Sequence, residues 1–361
     1  VELDRQIEHI ITAAIRARIF PGGVVLVGQK GQICHCAAYG TTQYDDAGTQ
    51  PVHVETIYDV ASLTKAFTAT VALRLVEEGE LDLDRPAAAY LPKARLSGVL
   101  VRHLLSHCSG LSLRLSTLRE HTPAQIHAAL YALDPATPPG TRVAYVNVNS
   151  LLLGDIVAEV AGMSLKEAIE EWILRPLEMH NTQFCPPPSL RPRIAPTEVD
   201  SDWRGGLVHG TVHDESAYAL GGVAGHAGLF STAHDMWRFI QLWLNEGELD
   251  GYRLLRPETV QEATRLQTEG LPLPTEVLGF HCGLGWMMEH PIVMRRTPRD
   301  TYGHTGFTGP TIVMLPQCGY APLGVVLLSN RVYPQRTVPA VHHETTAAVV
   351  EAAMAHLGCG A

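Results

Sequence analysis

Ser62-Leu63-Thr64-Lys65 opens a stretch that continues through Ala66-Phe67-Thr68 to Glu78 and closes at Gly79. Its wealth of Ala, Leu, Val and Thr, and the glycine at its end, predict a mainly buried helix over 62–78. Residues three apart share a helix face, so the Lys65 ammonium can reach back to the Ser62 hydroxyl. With Ser62 at the helix start, free amides and the positive end of the helix dipole favour a negative charge developing there. A buried lysine beside a like charge loses its proton more readily and then serves as a general base. Alone, the Ser-x-x-Lys pattern arises roughly once by chance in a chain of this length, on an ordinary solvated helix face.

Working outward, Leu3, Ile7, Ile10, Ile11, Ile15 and Ile19 recur at helical spacing with charges between them, which predicts an amphipathic helix ended by Pro21-Gly22-Gly23. The runs 24–28 and 33–39, separated by Gln29-Lys30-Gly31-Gln32, read as a strand hairpin. Helices are expected over 101–106, 123–133, 150–161, 165–174 and 233–245, strands over 311–315 and 323–329, and a last helix over 342–356. Between Cys185 and Gly228 the sequence turns Pro- and Gly-rich, the mark of a long loop that wraps or covers a cleft. Strand-forming segments therefore lie at both ends, with a helical insert between them. The expected fold class is α+β, an antiparallel sheet flanked by helices beside a mainly helical lobe. Residues 1–60 and 235–361 would form the discontinuous α/β lobe, and 61–234 the helical one with its cleft-lining loops.

The chain has 361 residues, enough for about two units at ~150 residues each. At 46 % hydrophobic and 18 % charged residues it is too apolar for a disordered chain. No apolar run reaches the roughly 18 residues a membrane span needs. With 27 basic against 37 acidic residues, a net charge of −10 and no basic block, the chain is a poor match for nucleic acid. Cys34, Cys36, Cys108, Cys185, Cys282, Cys318 and Cys359 are odd in number and show no CxxC pairs, so reduced, mostly buried thiols and a cytoplasmic setting are expected. A start at Val1 is also compatible with an export signal removed ahead of it. The 18 histidines include no HExxH pair, and no metal is expected; His213 and His226, in the glycine-rich loop, are candidates to line the cleft.

Two further motifs keep company with Ser62 and Lys65. Pro138-Pro139-Gly140 makes a turn ahead of Tyr145-Val146-Asn147, which offers a phenol to relay a proton and an amide to hold a carbonyl. Gly303-His304-Thr305-Gly306 precedes a strand-like run, and its glycines permit close backbone approach to a ligand. The order Ser-x-x-Lys, Tyr-x-Asn, His-Thr-Gly is hard to obtain by accident.

At these residues the chain resembles the penicillin-recognising serine hydrolases: class C β-lactamases, penicillin-binding proteins of the D,D-peptidase type, D-aminopeptidases and esterases of the same fold. Leu104-Leu105-Ser106-His107-Cys108-Ser109-Gly110-Leu111, Arg175-Pro176-Leu177-Glu178-Met179 and the stretches 212–215 and 221–231 carry the likeness along nearly the whole chain. The resemblance implies a β-lactamase/transpeptidase-like fold and two-step acyl transfer. Ser62 would attack, Lys65 would accept its proton, and Tyr145 would pass a proton to the departing amine or alcohol. The oxyanion would lie between the amides of Ser62 and Phe307, with Asn147, His304, Thr305 and Gly306 also touching substrate. No cofactor is implied, and the substrate would be a small ester, peptide or β-lactam. His304 stands where most of these enzymes carry Lys, and an ordinary imidazole is mostly uncharged at neutral pH. Arg331 and Arg336, just beyond the last strand, are candidates to supply the missing positive charge. Carboxylesterase, D-amino-acid peptidase and weak β-lactamase remain open, as does a penicillin-binding sensor that acylates without turnover.

Overall fold

Residues from the two ends of the chain pair with each other in one antiparallel sheet. The computed structural model describes residues 2–44, 48–275 and 279–359. Helix α1 (Glu2–Arg16) leads into strands β1 (Gly22–Gln29) and β2 (Gln32–Gly40). Helices α2 (Thr64–Glu77), α3 (Asn147–Ala161) and α4 (Ala233–Leu244) follow. The chain then returns as β3 (His281–Cys282), β4 (Met287–Met288), β5 (Tyr302–Thr305), β6 (Thr311–Leu315) and β7 (Leu323–Ser329), and ends in α5 (Pro339–Leu357). The spatial order is β3-β4-β5-β6-β7-β1-β2, so the first strand lies beside the last, with Val24 opposite Leu328 and Val27 opposite Val325.

The apolar runs in β1 and β7 are unbroken because both faces of the sheet are covered. Successive side chains point to opposite faces. Val25, Val27, Val325 and Leu327 join Ile7, Ile11 and Val350 in a core beneath α1 and α5. Their neighbours Val24, Leu26, Val326 and Leu328 enter a larger core that continues to Phe67 of α2, Leu152 of α3 and Phe239 of α4. Gly28 and Gly324 face each other across the β1–β7 ladder. A Cβ on either would strike the Trp237 ring, at 2.4 and 2.8 Å, so this pair of glycines lets α4 lie directly on the sheet.

Several expectations need correcting. The helix expected from Ser62 begins at Thr64, after a 3₁₀ turn over Ala61–Leu63, because the backbone at Ala61 is left-handed, with φ 46°. The helix expected over 165–174 is α-helical only for Leu165–Ile169 and then widens into a π turn over Glu170–Leu174. The Gly303–Gly306 motif precedes the expected strand, β6, and His304 itself lies on a further short strand, β5, that the sequence did not announce. The thiols are not uniformly reduced and buried: Cys318 and Cys359 form a disulfide, and Cys34 and Cys185 are exposed. The turn between β6 and β7 packs on the end of α5, where a Cβ on Gly319 would meet the Gly358 carbonyl at 2.3 Å, and this apposition joins cysteines 41 residues apart. Among the described residues no single helix is long and apolar enough to cross a membrane.

The stretch 185–228 holds two short paired strands, Val199–Asp200 and Gly206–Leu207, and the helix Glu215–Ala219. It ends in the strand Leu229–Ser231, which pairs with both Tyr58–Asp59 and Gln183–Phe184. The loop is thereby anchored beside the segment that carries Ser62.

Candidate active site

Asp59 shapes the turn that presents Ser62. Its buried carboxylate accepts hydrogen bonds from the Ala61 amide at 2.8 Å and the His213 amide at 2.7 Å, while its carbonyl accepts from the Thr308 hydroxyl at 2.7 Å. Burial pushes this carboxyl above its usual range, against the pull of the two amides. The bond to Ala61 holds a left-handed conformation that a residue with a Cβ seldom adopts. Three remote segments, the Ser62 turn, the 212–215 loop and the turn after β5, are thus tied to one aspartate. Ser62 faces a cavity of about 440 Å³.

Lys65, on the first turn of α2, donates from Nζ to Ser62 Oγ at 2.7 Å and to the His226 carbonyl at 3.3 Å. Its side chain is buried, and desolvation brings the amine's pKa down to about 7, with the Asp214 carboxylate pulling the other way. The ammonium also lies over the Tyr145 ring, 4.9 Å from its centroid.

Tyr145 is clamped by rings, with centroids at 4.6 Å to His107, 5.4 Å to Phe280 and 6.0 Å to His304. Burial pushes its phenol above the ordinary range, and the nearby Ser62 hydroxyl only partly offsets this, so the phenol keeps its proton at neutral pH. His107 Nδ1 accepts from the Val146 amide at 3.4 Å and lies 3.2 Å from Asn149 Nδ2. Burial, then Lys65 and His304, hold His107 well below its usual pKa. His304 is likewise buried. Desolvation and then Lys65 push it down to about 3, so it carries no charge at neutral pH.

Of the residues that sequence reasoning nominated, Ser62, Tyr145, Asn147, Thr305, Gly306 and Phe307 line the one cavity, and Arg336 stands on its wall. Lys65 and His304 sit behind that lining, against Ser62 and Tyr145 respectively. A Cβ on Gly306 would meet the Val60 carbonyl at 2.7 Å, so only glycine lets the end of β5 come this close to the Ser62 turn. Among the described residues neither the Ser62 nor the Phe307 amide has a hydrogen-bond acceptor. Two N–H groups are therefore left for an oxyanion.

The two arginines differ. Arg336 pairs with Glu198 at 2.9 Å and with Glu215 at 2.5 Å, which neutralises it. Arg331 is 1 % exposed and donates from Nη1 to the Thr337 carbonyl at 2.7 Å, with no carboxylate partner among the described residues. Burial lowers its pKa to about 10, which leaves it charged at neutral pH. It lies over the Phe307 ring at 4.8 Å and, like that ring, lines the cavity.

His213 lines the cavity as expected, stacked on Phe307 and 2.6 Å from Glu198, whereas His226 is fully buried behind it. Sequence reasoning missed Asp59, which stands in no motif, and Asp214, which lies within the family-like stretch 212–215. It also gave no role to Gly225, although the surrounding Gly-rich run was plain. A Cβ there would lie 2.1 Å from the Ser150 carbonyl of α3. Gly225→Ala is expected to lower stability by about 1–3 kcal/mol, seen as a lower urea midpoint with an unchanged slope, because the loop cannot move without losing its bonds to α2.

The model of the family described as Beta-lactamase matches residues 7–348. A protein of Escherichia coli O157:H7 named "Putative D-alanyl-D-alanine carboxypeptidase" is 32 % identical over 375 residues, which cover 91 % of this chain and 82 % of that protein. Among solved structures, the octameric penicillin-binding protein homologue from Pyrococcus abyssi is 24 % identical with a TM-score of 0.73, over 96 % of this chain and 77 % of that one. EstCE1, described as a hydrolase with promiscuous acyltransferase activity, is 21 % identical with a TM-score of 0.74, over 96 % and 98 %. The β-lactamase/transpeptidase-like fold is thus common to all of them.

Proposed function

The chain belongs to the beta-lactamase family of serine hydrolases, and from that premise we propose that Ser62 is its nucleophile, Lys65 its general base and Tyr145 its proton relay. The observation that carries this reading is the 2.7 Å contact between Lys65 Nζ and Ser62 Oγ, made by an amine whose pKa is brought to about 7. About half of such amines are unprotonated at neutral pH and can accept the serine proton. As Ser62 Oγ attacks the acyl carbonyl, its proton passes to Lys65 and the oxyanion settles on the Ser62 and Phe307 amides. Collapse breaks the bond to the leaving amine or alcohol. That group takes the Tyr145 proton, which Lys65 replaces. Water then attacks the acyl ester while Lys65 accepts its proton; collapse breaks the bond to Ser62 Oγ, releases the acid, and Lys65 returns the proton to Oγ. Tyr145 starts and ends as a phenol and the two proton transfers through it are coupled, since His304 offers no charge to stabilise a free tyrosinate.

The acyl donor favoured by this cavity carries a carboxylate. Arg331 is the support: a buried cation with no carboxylate of its own among the described residues, on the cavity wall, where the charge absent from His304 would be needed. The carboxypeptidase name borne by the Escherichia coli relative points the same way. Arg331→Gln is expected to lower kcat/KM about 10- to 100-fold on a peptide ending in D-Ala-D-Ala, the range for a lost charge-assisted bond. On the same peptide with an amidated terminus, and on p-nitrophenyl acetate, the change should stay under about threefold. Equal losses on the free acid and the amide would sink the carboxylate reading. An acyl adduct that persists in intact-mass spectra with every such substrate would sink turnover itself.

A further inference from the structure

Behind the catalytic amine lies a second cluster to which the acyl-transfer mechanism gives no part. The loop 225–229 runs along the first turns of α2 and bonds to it at three places: Thr68 Oγ1 donates to the Gly225 carbonyl at 2.9 Å, Lys65 Nζ to the His226 carbonyl at 3.3 Å, and the Leu229 amide to Thr64 Oγ1 at 3.3 Å. The His226 side chain, fully buried, points the other way, toward the helix Glu215–Ala219. Its Nε2 lies 3.0 Å from Asp214 Oδ1 and 3.0 Å from Ser216 Oγ, while Nδ1 has no partner among the described residues. The Ser216 hydroxyl and the Ala217 amide also donate to Asp214 Oδ1, at 2.6 and 2.9 Å. With both neighbours spending their protons on the carboxylate, the proton on Nε2 is the third donor, and the ring is locked in place. Burial opposes ionisation of Asp214, but the imidazole, the hydroxyl and the amide together hold its pKa below the usual carboxylate range.

We propose that Asp214 and His226 are positioning residues for the general base. The carboxylate fixes the His226 ring, the ring fixes the backbone carbonyl on which Lys65 Nζ rests, and the same carboxylate supplies the negative charge that faces the buried amine. This inference rests on the reading of Lys65 as the base. The other groups facing Lys65 cannot serve in place of Asp214: Tyr145 keeps its proton, and His107 and His304 are held neutral by burial. Asp59, the remaining buried carboxylate nearby, is spent on the Ala61 and His213 amides.

The test is the pH dependence of kcat/KM for a p-nitrophenyl ester in the wild type, Asp214→Asn and Ser216→Ala. Activity rises with pH as Lys65 loses its proton. Removing a negative charge that favours the ammonium should therefore move the acid limb of Asp214→Asn to lower pH, by about half a unit to one unit. Asn retains the shape and can still cap the helix. Ser216→Ala deletes one hydrogen bond but leaves the charge, so its limb should stay where the wild type's is, whatever happens to the plateau. An unmoved limb in Asp214→Asn, or equal shifts in both variants, overturns the proposal. A wild-type profile without a limb near pH 7 instead overturns the assignment of Lys65. If Asp214→Asn does not fold, as judged by near-UV circular dichroism, His226→Gln serves: it should lower kcat with little change in KM, and an unchanged kcat overturns the positioning role.

Discussion

Ser62→Ala is expected to lower kcat/KM for a p-nitrophenyl ester by about 10⁴-fold or more, and to abolish the mass adduct formed with a fluorophosphonate or a penicillin. Ser62 Oγ is the hydroxyl on which Lys65 Nζ is seated, and it faces the cavity beside the free Phe307 amide. Without it the site can still bind and polarise a carbonyl, which leaves the small residual rate that an oxyanion pocket gives to attack by water. The fold should be undisturbed, because the Ala61 turn is held by Asp59 and not by the serine side chain. Near-wild-type hydrolysis in this variant, or an adduct that maps to another residue, would remove Ser62 from the mechanism.

The second large effect concerns Lys65. Lys65→Met is expected to lower the acylation rate by about 10²- to 10⁴-fold, the range for a positioned general base. Its stability should change in a way that no simple packing defect would produce. The amine's folded pKa, about 7, lies below its unfolded value near 10.4. Between those values the unfolded chain binds more protons than the native one, so this group makes the wild type more stable as pH rises from about 7 to about 10. Below pH 7 the native state carries a buried charge. Lys65→Met lacks this term, so its stability should be the flatter of the two across that window and should exceed the wild type's at pH 6, measured by urea unfolding. An inactive variant that is more stable at low pH separates chemistry from folding. Parallel loss of both would mean that Lys65 holds the structure rather than the proton.

Much of the architecture was readable because its signals are local. The isoleucines of α1 mark its buried face, apolar runs mark β1 and β7, and the Lys30-Gly31 turn marks the start of β2. Where reading failed, the cause was a contact from elsewhere. The start of α2 is displaced to Thr64 by an aspartate bonding to Ala61 across a strained turn. The disulfide joins a loop to the far end of α5, which no spacing between Cys318 and Cys359 announces. Strands β3 and β4 are two residues each, too short for any alternation to show.

The residue types needed for acyl transfer, and the order in which they occur, are properties of the chain alone, since a hydroxyl, an amine and a phenol keep their chemistry wherever they are placed. Whether each is charged, and which arginine is free to meet a substrate, depends on burial and on partners from distant segments. Lys65 rests on a carbonyl 161 positions away. Glu198 and Glu215 neutralise Arg336, whereas Arg331 has no carboxylate partner among the described residues. His304 is uncharged because the fold excludes water from it. Desolvation and Coulomb energy follow distances in space, and those exist only once the chain has folded.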